Sequence, residues 1–387
     1  MKSVNNLGVA YPFPLLFIVI ILFTTGAGCT PVISAEEAFI SLDPNTTYQT
    51  MTGWEAVAQA GQLDCTGFKN YKDELFDEAV FDLGINRLRV ELNSSTENPV
   101  DYFSKWQNGE ISGSEYRDHW YEIINDNGDP NTINASGFHF SKLDNTIDTV
   151  VLPLKQRLES QGESLYINLN LVDFKCCQGS SNVDYENAPE EYAELVLATY
   201  QHLQAKYGWV PDAWEVVLEP DNTPWNGTDI GKAIAAAATR LRANGFTPNF
   251  IAPSTTDMGN ASNYFDAMIN VSGVSPNIIE ELSYHRYRGV SDANLLAIAD
   301  RAQQYGINSS MLEHIGSGYQ DLHKDLTLGR ISAWQQYTLA YCPSDANDNG
   351  SKYYVIDDSD PNNPSVIIGN RTKFLRPVLQ VCTKRCP

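Results

Sequence analysis

Two short runs carry the residues best suited to breaking a bond. Trp214-Glu215-Val216-Val217-Leu218-Glu219-Pro220 and Ser309-Ser310-Met311-Leu312-Glu313-His314 are each apolar, strand-like, and interrupted by a glutamate just before a loop. Carboxylic acids at the ends of two strands can serve as nucleophile and as proton donor on a glycosidic bond. That chemistry requires Glu219 and Glu313 to face each other across one pocket. Two other acids compete for the proton-donor role. Glu215 lies deeper in its run, which suits a buried ion-pair partner. Glu91 closes a charged strand and is a credible pocket residue.

These glutamates need a scaffold. Strand-like runs at 48–54, 85–92, 164–172, 212–218, 249–252, 280–285 and 309–312 alternate with helical stretches at 71–83, 143–158, 189–206, 229–243, 263–271 and 293–305. A helix at 326–341 and a last core strand at 352–356 complete roughly eight units. That pattern predicts a closed (β/α)8 barrel, and 387 residues suit one such barrel with long loops. Arg87, Arg89 and Glu91 alternate with Leu88, Val90 and Leu92, and Asn168 and Asn170 repeat the pattern in the next strand. Inside a barrel, the upper members of such rows face the pocket mouth. Residues 93–137 form a polar loop long enough to expect a function. Trp54, Trp106, Trp120, Trp225 and Tyr319 fall in loops expected at the mouth, where aromatic rings stack on sugar faces. Trp225, in the Pro/Gly/Asn loop after Glu219, is the leading platform candidate. Trp54 reads equally well as core, and Trp214 and Trp334 read as core.

A net charge of -22 argues against nucleic acid as a partner, because phosphate binding needs clustered Lys and Arg. Lys2, the apolar run 15–23 and Gly26-Ala27-Gly28 form a signal peptide over 1–34, too short for a comfortable membrane span. This leaves 36–387 as the barrel domain of a secreted, periplasmic or cell-surface protein. Cys29 is a candidate lipid anchor; ordinary cleavage near Ser34-Ala35 is the alternative. Cys65, Cys176, Cys177, Cys342, Cys382 and Cys386 remain, an even set that predicts disulfides in an oxidising compartment, with the pairing open. No zinc spacing occurs. Residues 345–350 copy half a calcium loop, but Ile356 stands at the closing glutamate position, so no metal and no cofactor is assigned.

Taken in order, several segments resemble glycoside hydrolase family 30, in the clan of retaining (β/α)8-barrel glycosidases (clan A). Tyr48-Gln49-Thr50-Met51-Thr52-Gly53-Trp54 is similar to the family's opening strand, and Leu88-Arg89-Val90 to its second. Leu218-Glu219-Pro220 sits where the family has Asn-Glu-Pro, His285-Arg286-Tyr287 resembles its His-x-Tyr strand, and Leu312-Glu313-His314 its nucleophile strand. Lys373-Phe374-Leu375-Arg376-Pro377 is similar to its Phe-x-Arg-Pro segment. The resemblance implies an exported retaining β-glycoside hydrolase acting on a polysaccharide or glycoconjugate by double displacement. Glu313 would be the nucleophile and Glu219 the acid/base. Tyr287 would orient Glu313, and Arg89 would keep it ionised. Trp54, Glu91, Asn170, Trp225 and His285 complete the substrate-binding set. Like-charge repulsion predicts a higher pKa for Glu219 than for Glu313. Two departures stand out. Leu218 replaces the asparagine that binds the sugar 2-hydroxyl, and the side β-sandwich is absent or reduced to a remnant at 39–43 plus the tail. Loss of the asparagine keeps a second expectation open, a non-catalytic glycan-binding barrel at the cell surface.

Overall fold

Eight parallel strands close into a cylinder: β1 Gly53–Ala60, β2 Arg87–Asn93, β3 Tyr166–Val172, β4 Ala213–Glu215, β5 Phe250–Asp257, β6 Ile279–Arg288, β7 Asn308–Glu313 and β8 Ala333–Tyr341. β8 closes the ring on β1 in the register Gly53 to Ala333, Trp54 to Trp334 and Glu55 to Gln335. The structure is a computed structural model that describes Asp43, residues 45–342 and residues 348–383. The leader 1–34 with Cys29, residues 39–42 of the expected N-terminal strand, residues 345–347 of the calcium-like loop, Cys386 and the side chain of Cys382 lie outside the described residues. The described residues from Tyr48 onward form one compact unit. Among the described residues no helix is long and apolar enough to cross a membrane.

Three sequence assignments are corrected. The first strand is Gly53–Ala60 rather than 48–54; its Ala-rich run carries little of the β-branched signal that marks a strand. Residues 326–341, expected as a helix, contain β8. Trp334, Tyr337 and Tyr341 fall at helical spacing, and two glutamines hide the strand. In the fold both glutamines are buried, with the side-chain amide of Gln335 donating to the Leu312 carbonyl and that of Gln336 to the Gly350 carbonyl. The expected last core strand is β9 Lys352–Asp357, outside the ring. It pairs parallel with the far end of β8, and β10 Ser365–Ile368 pairs antiparallel to it.

Helices cover the cylinder where the sequence starts and stops them. Pro189 opens the helix Pro189–Tyr207, where a missing N–H costs nothing, and Gly208 ends it at φ 77°. The face carrying Tyr192, Leu195, Val196 and Leu203 is buried. A disulfide joins Cys65, beyond β1, to Cys342, at the end of β8, across 277 residues. Closing so long a loop restricts the unfolded chain.

The cylinder's lower interior is charged. Arg87 donates through Nε to Glu55 at 3.0 Å and through Nη1 and Nη2 to Glu281 at 2.5 and 3.1 Å, and all three side chains are fully buried. Its guanidinium lies 4.2 Å from the Tyr166 ring centroid. Burial alone would lower the Arg87 pKa, but the two carboxylates outweigh it and hold the residue charged. Arg87→Met would strand two carboxylates in the core, so a loss of about 3–5 kcal/mol is expected in urea unfolding. An unchanged midpoint would show that the triad contributes no stability.

Candidate active site

Glu313 is the last residue of β7, so strand geometry alone delivers it to the barrel mouth. Glu219 lies four residues past β4, on chain that still runs between its neighbours. Val216 N donates to Ile251 O at 3.1 Å, Leu218 N to Leu171 O at 2.9 Å, and Glu219 N to Ser254 O at 3.2 Å. At Glu219 the backbone turns sharply, with φ 50° and ψ 57°. A non-glycine residue in this left-handed region costs about 1–3 kcal/mol, and such strain clusters at functional sites. The turn brings the two acids together. A carboxylate oxygen of Glu219, one of Glu313 and a ring nitrogen of His285 all lie within 4.8 Å of one another.

The two carboxylates have different surroundings. Glu313 accepts from Arg89 Nη2 at 2.5 Å on one oxygen and from the Tyr287 hydroxyl at 2.8 Å on the other. Arg89 also donates to Leu312 O at 3.2 Å and Glu91 Oε1 at 3.4 Å. Burial works to lower the Arg89 pKa, but Glu313, Glu215 and Glu91 raise it well above its ordinary value. Burial and the Glu313 charge push the Tyr287 hydroxyl up, so it stays a neutral donor. The Ile315 backbone N–H donates to Tyr287 at 3.3 Å and fixes its direction.

Glu219 faces His285, whose Nδ1 lies 3.0 Å from Oε1, while the Asn222 amide donates to Oε2 at 2.9 Å. Asn222 is itself held, donating to Thr256 Oγ1 at 2.7 Å and accepting from Arg288 Nη2 at 3.0 Å. Burial would raise the Glu219 pKa, but the His285 hydrogen bond and charge outweigh it and hold the carboxyl below the usual range. Burial would lower His285, but its bond to Glu219 and the charge of Glu313 hold it above 6.5. The expectation of a raised Glu219 pKa is therefore corrected. Like-charge repulsion is smaller here than the ion pair with His285, and the proton resides on the pair.

A cleft of about 620 Å³ opens over the β1, β2, β3 and β8 ends, lined by Glu91, Trp106, Trp120, Lys142, Leu218 and Tyr337 among others. Glu91, paired with Arg89, joins the cleft to the carboxylates. Leu218 packs with Tyr121 and Val172 in a small apolar cluster that forms part of the wall.

Of the residues expected at the site, Arg89 and Tyr287 contact Glu313, His285 contacts Glu219, and Glu91 contacts Arg89. Asn170 is fully buried between Glu91 and Glu215 in strand register, and neither amide atom has a partner among the described residues. Trp54 and Trp225 are corrected. Trp54, 1% exposed, falls on the outer face of β1 and donates from Nε1 to Leu379 O at 3.0 Å. Trp225, 1% exposed, packs edge-to-face on Tyr192 with ring centroids 5.7 Å apart, because its loop folds back onto the helical layer. Neither has a ring face free for a sugar. Trp106 and Trp120 do line the cleft. Asn222 and Tyr337 were missed. Tyr337 was hidden by the helix assignment, and nothing in a Pro-Asp-Asn loop marks which amide will turn inward.

Comparison of the sequence with models of known families and with curated proteins finds no match. Solved structures do share the fold. The chain is similar to SrfJ from Salmonella typhimurium, with 12% identity, a TM-score of 0.58, and coverage of 89% of this chain and 77% of that one. It is similar to a GH30 endoxylanase from Clostridium papyrosolvens C71, with 14% identity, a TM-score of 0.54, and coverage of 86% and 73%. A conserved exported protein from Bacteroides fragilis gives 11% identity, a TM-score of 0.56, and coverage of 89% and 80%. These likenesses establish the class of the fold, a (β/α)8 barrel with additional strands outside the ring.

Proposed function

We propose that this chain is an exported retaining β-glycoside hydrolase acting on a polysaccharide or glycoconjugate. The observation that carries the reading is the approach of Glu219 and Glu313 oxygens to within 4.8 Å. Retaining enzymes hold their carboxyl groups about 5–5.5 Å apart, whereas inverting enzymes leave room for a water. The occurrence of GH30 xylanases among the structural neighbours supports sugar chemistry at this pair.

Glu313 attacks the anomeric carbon while the glycosidic C–O bond breaks and Glu219 delivers a proton to the leaving oxygen. Water then attacks the same carbon, Glu219 takes its proton, and Glu313 leaves. Tyr287 and Arg89 hold Glu313 ionised and oriented. The proton for the first step comes from the Glu219–His285 pair. A panel of β-linked aryl glycosides and β-glycans, with the product anomer followed by NMR, tests the reading. The retained anomer is expected. An inverted product removes the mechanism, and binding without turnover leaves the glycan-binding barrel. Export through residues 1–34, with Cys29 as candidate anchor, is supported by the Cys65–Cys342 disulfide, which suits an oxidising compartment. The mass of the mature N-terminus checks it.

The pair also sets a pH window. His285 has a raised pKa, so its contribution to stability is complete below 6.5 and is lost as pH rises through the higher folded value. Glu219 has a lowered pKa, so its contribution is present above 4.5 and is lost as pH falls through the folded value. Activity needs the shared proton, so the alkaline limb of kcat/KM should follow the His285 end of this window. His285→Gln keeps a hydrogen-bond donor but removes the titrating group, and the limb is expected to move to lower pH. An unmoved limb would take His285 out of the proton inventory.

A further inference from the structure

Cys176 and Cys177 are neighbours in the loop that follows β3, and their sulfurs lie 3.1 Å apart. Cys176 is exposed and Cys177 half-buried. Neither touches the carboxylate pair. The Cys177 side chain packs against the apolar cluster of Tyr121, Val172 and Leu218, and its carbonyl accepts from the Tyr121 N–H at 2.9 Å. The Cys177 thiol therefore backs the wall of the cleft formed by Leu218, the residue that precedes Glu219.

We infer that Cys176 and Cys177 form a redox-modification site that closes as a vicinal disulfide. The oxidant is a small-molecule or protein disulfide. The exposed Cys176 thiolate attacks one donor sulfur, the donor S–S bond breaks, and one donor thiol departs with a proton. The Cys177 thiolate, its proton lost to solvent, then attacks Cys176 Sγ and releases the second donor thiol. Two protein thiols are oxidised and one donor disulfide is reduced. Cys176 reacts first because it is the exposed thiol, while burial and the adjacent Cys176 thiol push the Cys177 thiol up to about 11.

The ring would be labile. Adjacent Cα atoms lie about 3.8 Å apart across a trans peptide, shorter than the roughly 4.4–6.8 Å of ordinary disulfides, and such strain makes a bond easier to reduce. Cys65–Cys342, with a Cα separation of 5.4 Å, carries no such constraint. Exposed, strained disulfides are the regulatory kind. The inference does not depend on the glycosidase reading.

The test equilibrates the full chain in glutathione buffers of graded disulfide-to-thiol ratio. Free thiols are then trapped with an alkylating agent, and the peptide carrying both cysteines is weighed. The expected result is a peptide two hydrogens lighter and unalkylated, opening at a ratio that leaves Cys65–Cys342 intact. Cys177→Ser should convert it to a glutathione adduct on Cys176, and circular dichroism should confirm an unchanged fold. Two alkylated thiols at every ratio, or a cross-link to Cys382 or Cys386, would overturn the inference.

Discussion

Glu313→Ala is expected to abolish turnover, by about 10⁴- to 10⁶-fold in kcat, the scale set by removing a covalent nucleophile. Glu91 is the control, because Arg89 Nη2 contacts both acids. The alanine variant leaves Arg89 buried with one partner fewer, so Glu313→Gln serves as a second variant of nearly equal volume. Added azide should enter the space left by the alanine substitution and attack the sugar from the nucleophile's side. A glycosyl azide of inverted configuration would then appear. Activity near that of the unsubstituted chain in both variants, or an equal loss in Glu91→Gln with the same azide rescue, would sink the assignment.

Glu219→Gln should separate substrates by leaving group. A sugar or alkyl alkoxide needs a proton as it departs, and losing the donor is expected to cost about 10²- to 10⁴-fold. A dinitrophenolate departs unaided, so its release should persist as a burst, followed by slow hydrolysis of the glycosyl-enzyme. The glutamine can still accept from His285 or Asn222 and should preserve the strained turn. An equal loss on both kinds of substrate would mean that Glu219 positions the sugar and donates no proton. The same experiment bears on Leu218. If the first step remains fast with the activated substrate, the apolar wall formed with Tyr121 and Val172 supports glycosyl transfer without the asparagine of the family pattern.

Periodicity exposed most of the scaffold. Strands β2 to β7 and the helices between them lie close to where alternation of apolar residues puts them, because buried strands and one-sided helices leave a direct record in sequence. β8 left a misleading record. It is buried on both faces and lined by Gln335 and Gln336, polar groups whose amides donate to a backbone carbonyl of neighbouring β7 and to one in the loop before β9. Such a strand has neither the alternation nor the apolar run that would reveal it. The tryptophans failed for a related reason. Loop position suggested that Trp225 was exposed and left Trp54 open between mouth and core, yet large rings are worth burying wherever a helix or strand can cover them.

What the residue order alone determined is the set of chemical groups and the strand ends that carry them: two glutamates, a His-x-Tyr strand, and an arginine on an inward-facing row. Short-range rules of spacing suffice for that. Tertiary structure decided how those groups are charged and oriented. The left-handed turn at Glu219, the Asn222 amide and the His285 ring meet across segments more than sixty residues apart. That meeting reverses the expected shift of the Glu219 proton. Electrostatic energy depends on separation in space and on burial, and neither quantity is written in the order of the residues.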